Sequence, residues 1–176
     1  MTTALVVIDV QQGMFQIPGF RLHDGEGTVE RIAGLVARAR EAGVPVFFVQ
    51  HDGGPGDPFH PGKPGFPFHA KLTPRPGDDV TVKHRGSAFN GTDFDAKLKA
   101  AGIDTLVVCG MQSEYCVDAA VRGAVERGYR VVLAADGHTT GDSRILKACD
   151  IVAHENETLC GSYAQVFPAH AVSFAG

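Results

Sequence analysis

The residues best placed to do chemistry in this chain are an acid, an amine and a thiol, each standing at or just past the end of an apolar run. Asp9 lies near the end of the run Ala4–Val10, and Lys83 closes Val80-Thr81-Val82. Cys116 follows the run Thr105–Cys109 across a short turn, Gly110-Met111-Gln112-Ser113-Glu114-Tyr115, and precedes a helical pattern from Val117 to Arg127. A cysteine at a strand-to-helix junction sits in the first helical turn. Unpaired N–H groups and the positive end of the helix dipole favour a thiolate there. Such a thiol can attack a carbonyl carbon while neighbouring amides hold the oxyanion. An aspartate or lysine at the end of a buried strand is costly unless paired, so an Asp9–Lys83 ion pair is the plain structural reading of those two. A thiol delivered to the same place turns the pair into a base and a cation beside a nucleophile.

The rest of the chain must bring these groups together. Its 176 residues suit one domain, 1–176, with a core of its own. The net charge of −4, with both signs interspersed, gives no basic surface for nucleic acid or an anionic membrane, so neither is an expected partner. The first apolar run is short and interrupted by Asp9, so neither a signal peptide nor a membrane span is expected. Cys109, Cys116, Cys149 and Cys160 show no C-x-x-C spacing, which argues against a zinc ribbon or a dithiol redox site. Free thiols fit a cytoplasmic protein.

Strand and helix signals alternate. Ala4–Val10 and Thr105–Cys109 read as buried strands, and Val44–Gln50, Val80–Lys83 and Arg130–Ala135 as further strands. Thr28 reads as the cap of a helix in which Val29, Ile32, Ala33, Val36 and Ala39 recur, ending at Gly43. Phe94, Leu98 and Ala101 mark a further helix. Towards the C-terminus a helical segment over Asp142–Ala148, a strand or turn at Ile151–Ala153, a helix near Glu155–Tyr163 and an edge strand near Ala171–Phe174 are expected. The order predicts an α/β fold of three layers, α/β/α, around a mainly parallel, Rossmann-like sheet. Ligands of such a sheet bind at the carboxyl ends of its strands, where Asp9, His51, Lys83, Cys116, Asp136 and His138 would gather. His51–Gly77 holds seven of the ten prolines and cannot be helix or central strand. Phe59, Phe66 and Phe68 give that loop apolar anchors, as a functional loop or subunit contact requires.

Val7-Ile8-Asp9-Val10-Gln11, Lys83-His84-Arg85-Gly86-Ser87-Ala88-Phe89 and the G-x-x-[ST]-x-x-C block ending at Cys116, in this order, resemble the isochorismatase-like cysteine hydrolases. Asp136-Gly137-His138-Thr139 and His154-Glu155-Asn156-Glu157-Thr158-Leu159 add support. That family includes nicotinamidases, N-carbamoylsarcosine amidohydrolases and ureidoacrylate amidohydrolases. The resemblance implies a catalytic triad of Asp9, Lys83 and Cys116 that hydrolyses an amide, lactam or ureido C–N bond through a thioester. It implies an oxyanion hole from the amides of Tyr115 and Cys116, a cis peptide between Met111 and Gln112, and a homodimer or homotetramer. Isochorismatases proper cleave a vinyl ether and lack the cysteine, so Cys116 argues against that activity. Nicotinamidases bind zinc after the second strand. Here the order His51-Asp52-Gly53-Gly54 departs from their D-x-H pattern, so no metal is expected, although His51, Asp52, His60 and His69 are the donors zinc would use. Phe15, His51, Phe59, Phe89, Tyr115 and His138 are the candidate substrate-binding walls, each equally open to ordinary packing. A zinc-assisted hydrolase and a non-catalytic member of the fold are the alternatives.

Overall fold

The central strands of the sheet are segments whose side chains are buried on both faces. A computed structural model describes residues 2–174. Strands β1 (Thr3–Ile8), β2 (Val46–His51), β3 (Asp79–Lys83), β4 (Thr105–Met111), β5 (Arg130–Thr139) and β6 (Gln165–Phe167) form one sheet in the order β3-β2-β1-β4-β5-β6. Every pairing is parallel. The alternation of the strands sorts their side chains. Leu5 and Val7 of β1 face α2 (Gly25–Glu41), which buries Val29, Ile32, Leu35, Val36 and Ala39 against them. Ala4, Val6 and Ile8 face the opposite layer, made by α3 (Phe94–Ala100), α4 (Asp118–Val125) and α5 (Ala148–Leu159). The short helix α1 (Gly13–Gln16) follows β1 directly. The three-layer expectation therefore holds, and the strand order reverses between β1 and β4. Asp9 leaves one of those two strands and Cys116 follows the other, at the crevice such a reversal creates.

Gly110 makes that closeness possible. Its φ is +131°, and a Cβ there would lie 2.1 Å from the Ile8 carbonyl oxygen, so only glycine fits. The long proline-rich loop is fastened from below by two glutamines. Gln11 Nε2 donates to the carbonyls of His51 (3.0 Å) and Phe66 (2.8 Å), its Oε1 accepts from His51 N–H (2.8 Å), and Gln50 Nε2 donates to Phe66 (2.8 Å). Phe68 packs on Phe48 with ring centroids 5.4 Å apart.

Some expectations are corrected. Thr28 does not cap α2, because its own N–H already bonds to the Asp24 carbonyl within a helix that starts at Gly25. Asp142–Lys147 is not helical, and the helix begins only at Ala148. The Asp142 carboxylate accepts from Ala148 N–H (2.9 Å) and the Ser143 hydroxyl from Leu146 N–H (2.9 Å), bonds that compete with a helix. The Ile151–Ala153 segment lies inside α5, which also takes in Glu155 and ends at Leu159, short of Tyr163. The edge strand is Gln165–Phe167, paired with Val132–Ala134, and Ala171 closes a short 3₁₀ turn instead of opening a strand at Ala171–Phe174. Pro168, which has no N–H to give a ladder, stops the strand. Among the described residues no helix is long and apolar enough to cross a membrane.

Candidate active site

The crevice holds a compact, buried set of charges. Lys83 Nζ lies 2.7 Å from Asp9 Oδ2, and both side chains are inaccessible to solvent. The same ammonium lies 3.2 Å from Cys116 Sγ, 3.1 Å from the Arg85 carbonyl and 3.5 Å from His51 Nδ1. Lys83 approaches Asp9 at ion-pair distance but off the direction of a good hydrogen bond, so both Asp9 oxygens lack an aligned donor. Asp9 adopts φ +50°, a left-handed conformation that turns the chain sharply out of β1. Burial pushes its carboxyl above the ordinary carboxylate range, against the pull of Lys83 and the nearby Cys116 thiol. A buried carboxylate with a raised pKa beside a thiol is suited to take its proton.

Cys116 itself differs from the expectation of a ready thiolate. It lies not in a regular first helical turn but in a π-helical turn, Ser113–Val117, that leads into α4. Burial, then the charge of Asp9, push its thiol up to about 12, and Lys83 opposes them without prevailing. Burial and the Asp9 charge thus favour the neutral thiol over the thiolate. The Met111–Gln112 peptide that precedes the turn is cis. The Gln112 carbonyl accepts from Tyr115 N–H and Val117 N–H, each at 3.2 Å. Of the two amides expected to hold an oxyanion, that of Tyr115 is thus already engaged by a long bond.

The candidate walls do not all meet at one place. His51 and Phe59 stand together, ring centroids 6.2 Å apart, and burial with the nearby Lys83 lowers the His51 pKa, which favours a neutral ring. Tyr115 is 60% exposed, the side chain best able to meet a ligand from solvent. Phe15, half-buried, packs on His69 at 4.9 Å. Phe89 is committed to the core: its ring lies 5.0 Å from Phe94 and 6.2 Å from Tyr129, with the Arg127 guanidinium over its face. His138 is 2% exposed and bonds through both ring nitrogens to Ser113 and Asn156.

Comparison with known proteins identifies the family of the chain. The model of the isochorismatase domain matches residues 3–149. The chain belongs to the isochorismatase family. A streptothricin hydrolase of Streptomyces noursei is 42% identical over 139 residues, 79% of this chain and 50% of that protein, so the chain spans about half the length of that relative. The ureidoacrylate amidohydrolase RutB of Methylobacterium radiotolerans is 32% identical over 183 residues, covering 84% of this chain and 71% of the relative. The crystal structure of N-carbamoylsarcosine amidase from Thermoplasma acidophilum superposes with a TM-score of 0.82 at 27% identity, over 98% of this chain and 99% of that one.

The donors zinc would need, as in the nicotinamidase branch of the isochorismatase family, are dispersed here. Asp52 Oδ1 pairs with His60 Nδ1 at 3.0 Å, His69 turns to Glu26 at 3.6 Å, and His51 faces the Lys83 ammonium, which would repel a cation. Among the described residues no group of three or more His, Cys, Asp or Glu is arranged to hold a metal ion. Asp52 and His60 are thus committed to each other, His69 to Glu26 and His51 to Lys83, an arrangement that does not suit a shared zinc ion. Gln11 and Ser113 are site-supporting residues to which the sequence assigned no role, and Asn156, which read as structural, supports His138. Gln11 and Ser113 stand inside the family motifs, two residues from Asp9 and three from Cys116, and that proximity was the available signal.

Proposed function

We propose that this isochorismatase-family chain is a cysteine amidohydrolase that opens an amide, lactam or ureido C–N bond of a small molecule through a thioester. The observation that carries the reading is the single buried ammonium of Lys83 within 2.7 Å of the Asp9 carboxylate and 3.2 Å of the Cys116 sulfur. The relatives' names, a streptothricin hydrolase, a ureidoacrylate amidohydrolase and an N-carbamoylsarcosine amidase, support the bond class.

In this reading Asp9 takes the proton of the Cys116 thiol as sulfur attacks the substrate carbonyl carbon. Lys83 steadies the negative charge that moves between sulfur and carboxylate. The new oxyanion is held by the Cys116 N–H, joined by the Tyr115 N–H as its long bond to Gln112 yields. The tetrahedral adduct collapses, the C–N bond breaks, and protonated Asp9 gives its proton to the leaving nitrogen. Water then attacks the thioester while Asp9 takes its proton. The second collapse releases the acid, and Asp9 returns a proton to sulfur. A thiol at rest fits this sequence, because proton transfer then accompanies attack and no free thiolate waits for oxidation. His51, Phe59 and Tyr115 line the approach and suit a planar or cyclic substrate. The exposed apolar side chains of Tyr115, Ile145, Leu146 and Phe167 are consistent with burial in a homodimer or homotetramer.

The test is intact-protein mass after incubation with pooled amides, lactams and ureido compounds, wild type beside Cys116→Ala, with released ammonia or amine assayed in parallel. An acyl adduct and nitrogen release that both require Cys116, and that survive dialysis against a chelator, are expected. Turnover that persists in Cys116→Ala would overturn the nucleophile assignment.

A further inference from the structure

Behind the triad lies a second buried polar constellation centred on His138. Its position comes from a bulge in β5. Val108 of β4 pairs with Leu133, whereas Gly110 pairs with His138, so residues 134–137 of β5 stand against one residue of β4. The bulge is held from three sides. Asn156 Nδ2 donates to the Ala135 carbonyl (2.9 Å), Arg31 Nε to the Asp136 carbonyl (2.6 Å), and Ala169 N–H to Asp136 Oδ1 (2.6 Å). Gly137 is required within it, since a Cβ there would lie 2.7 Å from that of Ala134. Bulges re-aim side chains beside active sites, and this one turns His138 towards the turn that bears Cys116.

The hydrogen-bond pattern fixes the state of the ring. Because Asn156 uses its amide nitrogen on Ala135, its Oδ1 is an acceptor, so His138 Nε2, 3.0 Å away, carries the proton. Nδ1 is then an acceptor, and the Ser113 hydroxyl donates to it at 2.8 Å. Burial lowers the His138 pKa, in keeping with a neutral ring. Ser113 is fully buried and begins the π-helical turn, and its carbonyl accepts from Asp118 N–H on the far side of Cys116. The Ser113 end of the segment that carries the nucleophile is thus tied to His138 of β5 by a buried side-chain hydrogen bond, while the flanking side chains are tied to Thr140, just past β5, by Gln112 Nε2 (3.3 Å) and by the Thr140 hydroxyl donating to Glu114 Oε1 (2.9 Å).

We propose that His138 is a positioning residue which, through Ser113, holds the turn carrying the Cys116 thiol and its backbone N–H in register with the Asp9–Lys83 pair. The role rests on the amidohydrolase reading. His138 meets no substrate in it and changes no charge. It keeps the oxyanion donors aimed, where a displacement of about 1 Å can cost roughly a hundredfold in rate.

The experiment compares Ser113→Ala, His138→Phe, the double variant and Ser113→Thr with wild type. Each single variant is expected to lose roughly ten- to a hundredfold in kcat with KM nearly unchanged. The double variant should be no slower than the worse single one, because both cut the same link. Ser113→Thr, which keeps the hydroxyl, should recover most of the rate. In ¹⁵N-imidazole spectra of the folded wild type, His138 should show a protonated Nε2 and a bare Nδ1 at neutral pH. A folded Ser113→Ala with wild-type kcat, losses that multiply in the double variant, or a protonated Nδ1 would each overturn the proposal. If His138→Phe does not fold, Ser113→Ala and the spectrum decide. Should wild type show no Cys116-dependent turnover, the amidohydrolase reading falls separately. The positioning role is then judged by amide hydrogen exchange. Faster exchange confined to Tyr115–Asp118 in Ser113→Ala sustains it, and unchanged exchange sinks it.

Discussion

Asp9 concentrates the conflicts of the site in one residue: a charge without solvent, a left-handed backbone and two oxygens with no aligned donor. Asp9→Asn separates these. Asparagine tolerates the φ of +50°, so the turn survives. The charge does not survive, and Lys83 is left buried with the Arg85 carbonyl, His51 and the Cys116 sulfur but no carboxylate. Breaking a buried pair from one side costs about 3–5 kcal/mol, which a drop in the urea midpoint would register. Loss of the base should lower kcat by about 10²–10⁴-fold. The same substitution should make the thiol more acidic, since the Asp9 charge raises the Cys116 pKa while Lys83 lowers it. Thiolate absorbance near 240 nm should therefore appear at lower pH in Asp9→Asn than in wild type. An enzyme that loses activity while its cysteine ionises more readily would separate base catalysis from mere thiol acidity. Wild type should also show an acid limb in kcat/KM. Activity rises as Asp9 ionises, so the limb lies above pH 3.8, the ordinary aspartate value, because burial raises the carboxyl.

At the scale of elements, the site depends on how closely β1 and β4 run past each other. Gly110→Ala puts a methyl group 2.1 Å from the Ile8 oxygen at φ +131°, so the strands must part or the protein must fail to fold. A loss above about 4 kcal/mol is expected, measured by urea unfolding or seen as insoluble expression. A soluble variant of near-wild-type stability would mean that the two strands are less tightly apposed than described. The elements also show what a sequence can disclose. Strands buried on both faces write themselves as apolar runs, so β1, β2, β4 and the start of β5 were readable. A polar residue closing such a run is conspicuous, which is why Asp9 and Lys83 stood out. The link from His138 to Ser113 was not readable, because it depends on a bulge of residues 134–137 that no periodicity announces. Phe89, two residues from Ser87 in a family motif, looked like a wall and proved to be core, since a phenylalanine reads the same in either role. The 142–159 region misled for a local reason: Asp142 and Ser143 spend their side chains on the backbone and delay the helix to Ala148.

For the whole molecule, the buried neutral acids set how stability responds to pH. Burial and Asp9 raise Cys116 from 9.0 to about 12, and burial with Asp95 raises Tyr129 from 10.0 to about 12. Cys109, enclosed in the core, is raised by burial as well. All three shifts have one sign. Each folded pKa exceeds the unfolded one, so the stability they contribute is complete below pH 9 and is lost as pH climbs towards 12. In that window the unfolded chain releases protons that the folded chain keeps. Each fully retained proton tilts the equilibrium towards unfolding by at most about 1.4 kcal/mol per pH unit. Urea midpoints should therefore be insensitive to these groups up to pH 9 and fall steeply beyond it. Tyr129→Phe removes one titrating group and leaves the Asp95 oxygen open to solvent, so its decline should be shallower than wild type at the cost of a lower plateau. Cys116→Ser, whose hydroxyl does not ionise in this range, should flatten the curve further without moving Lys83. Parallel declines in wild type and both variants would show that the alkaline transition belongs to other groups and that the thiol beside Asp9 is not held neutral by its surroundings.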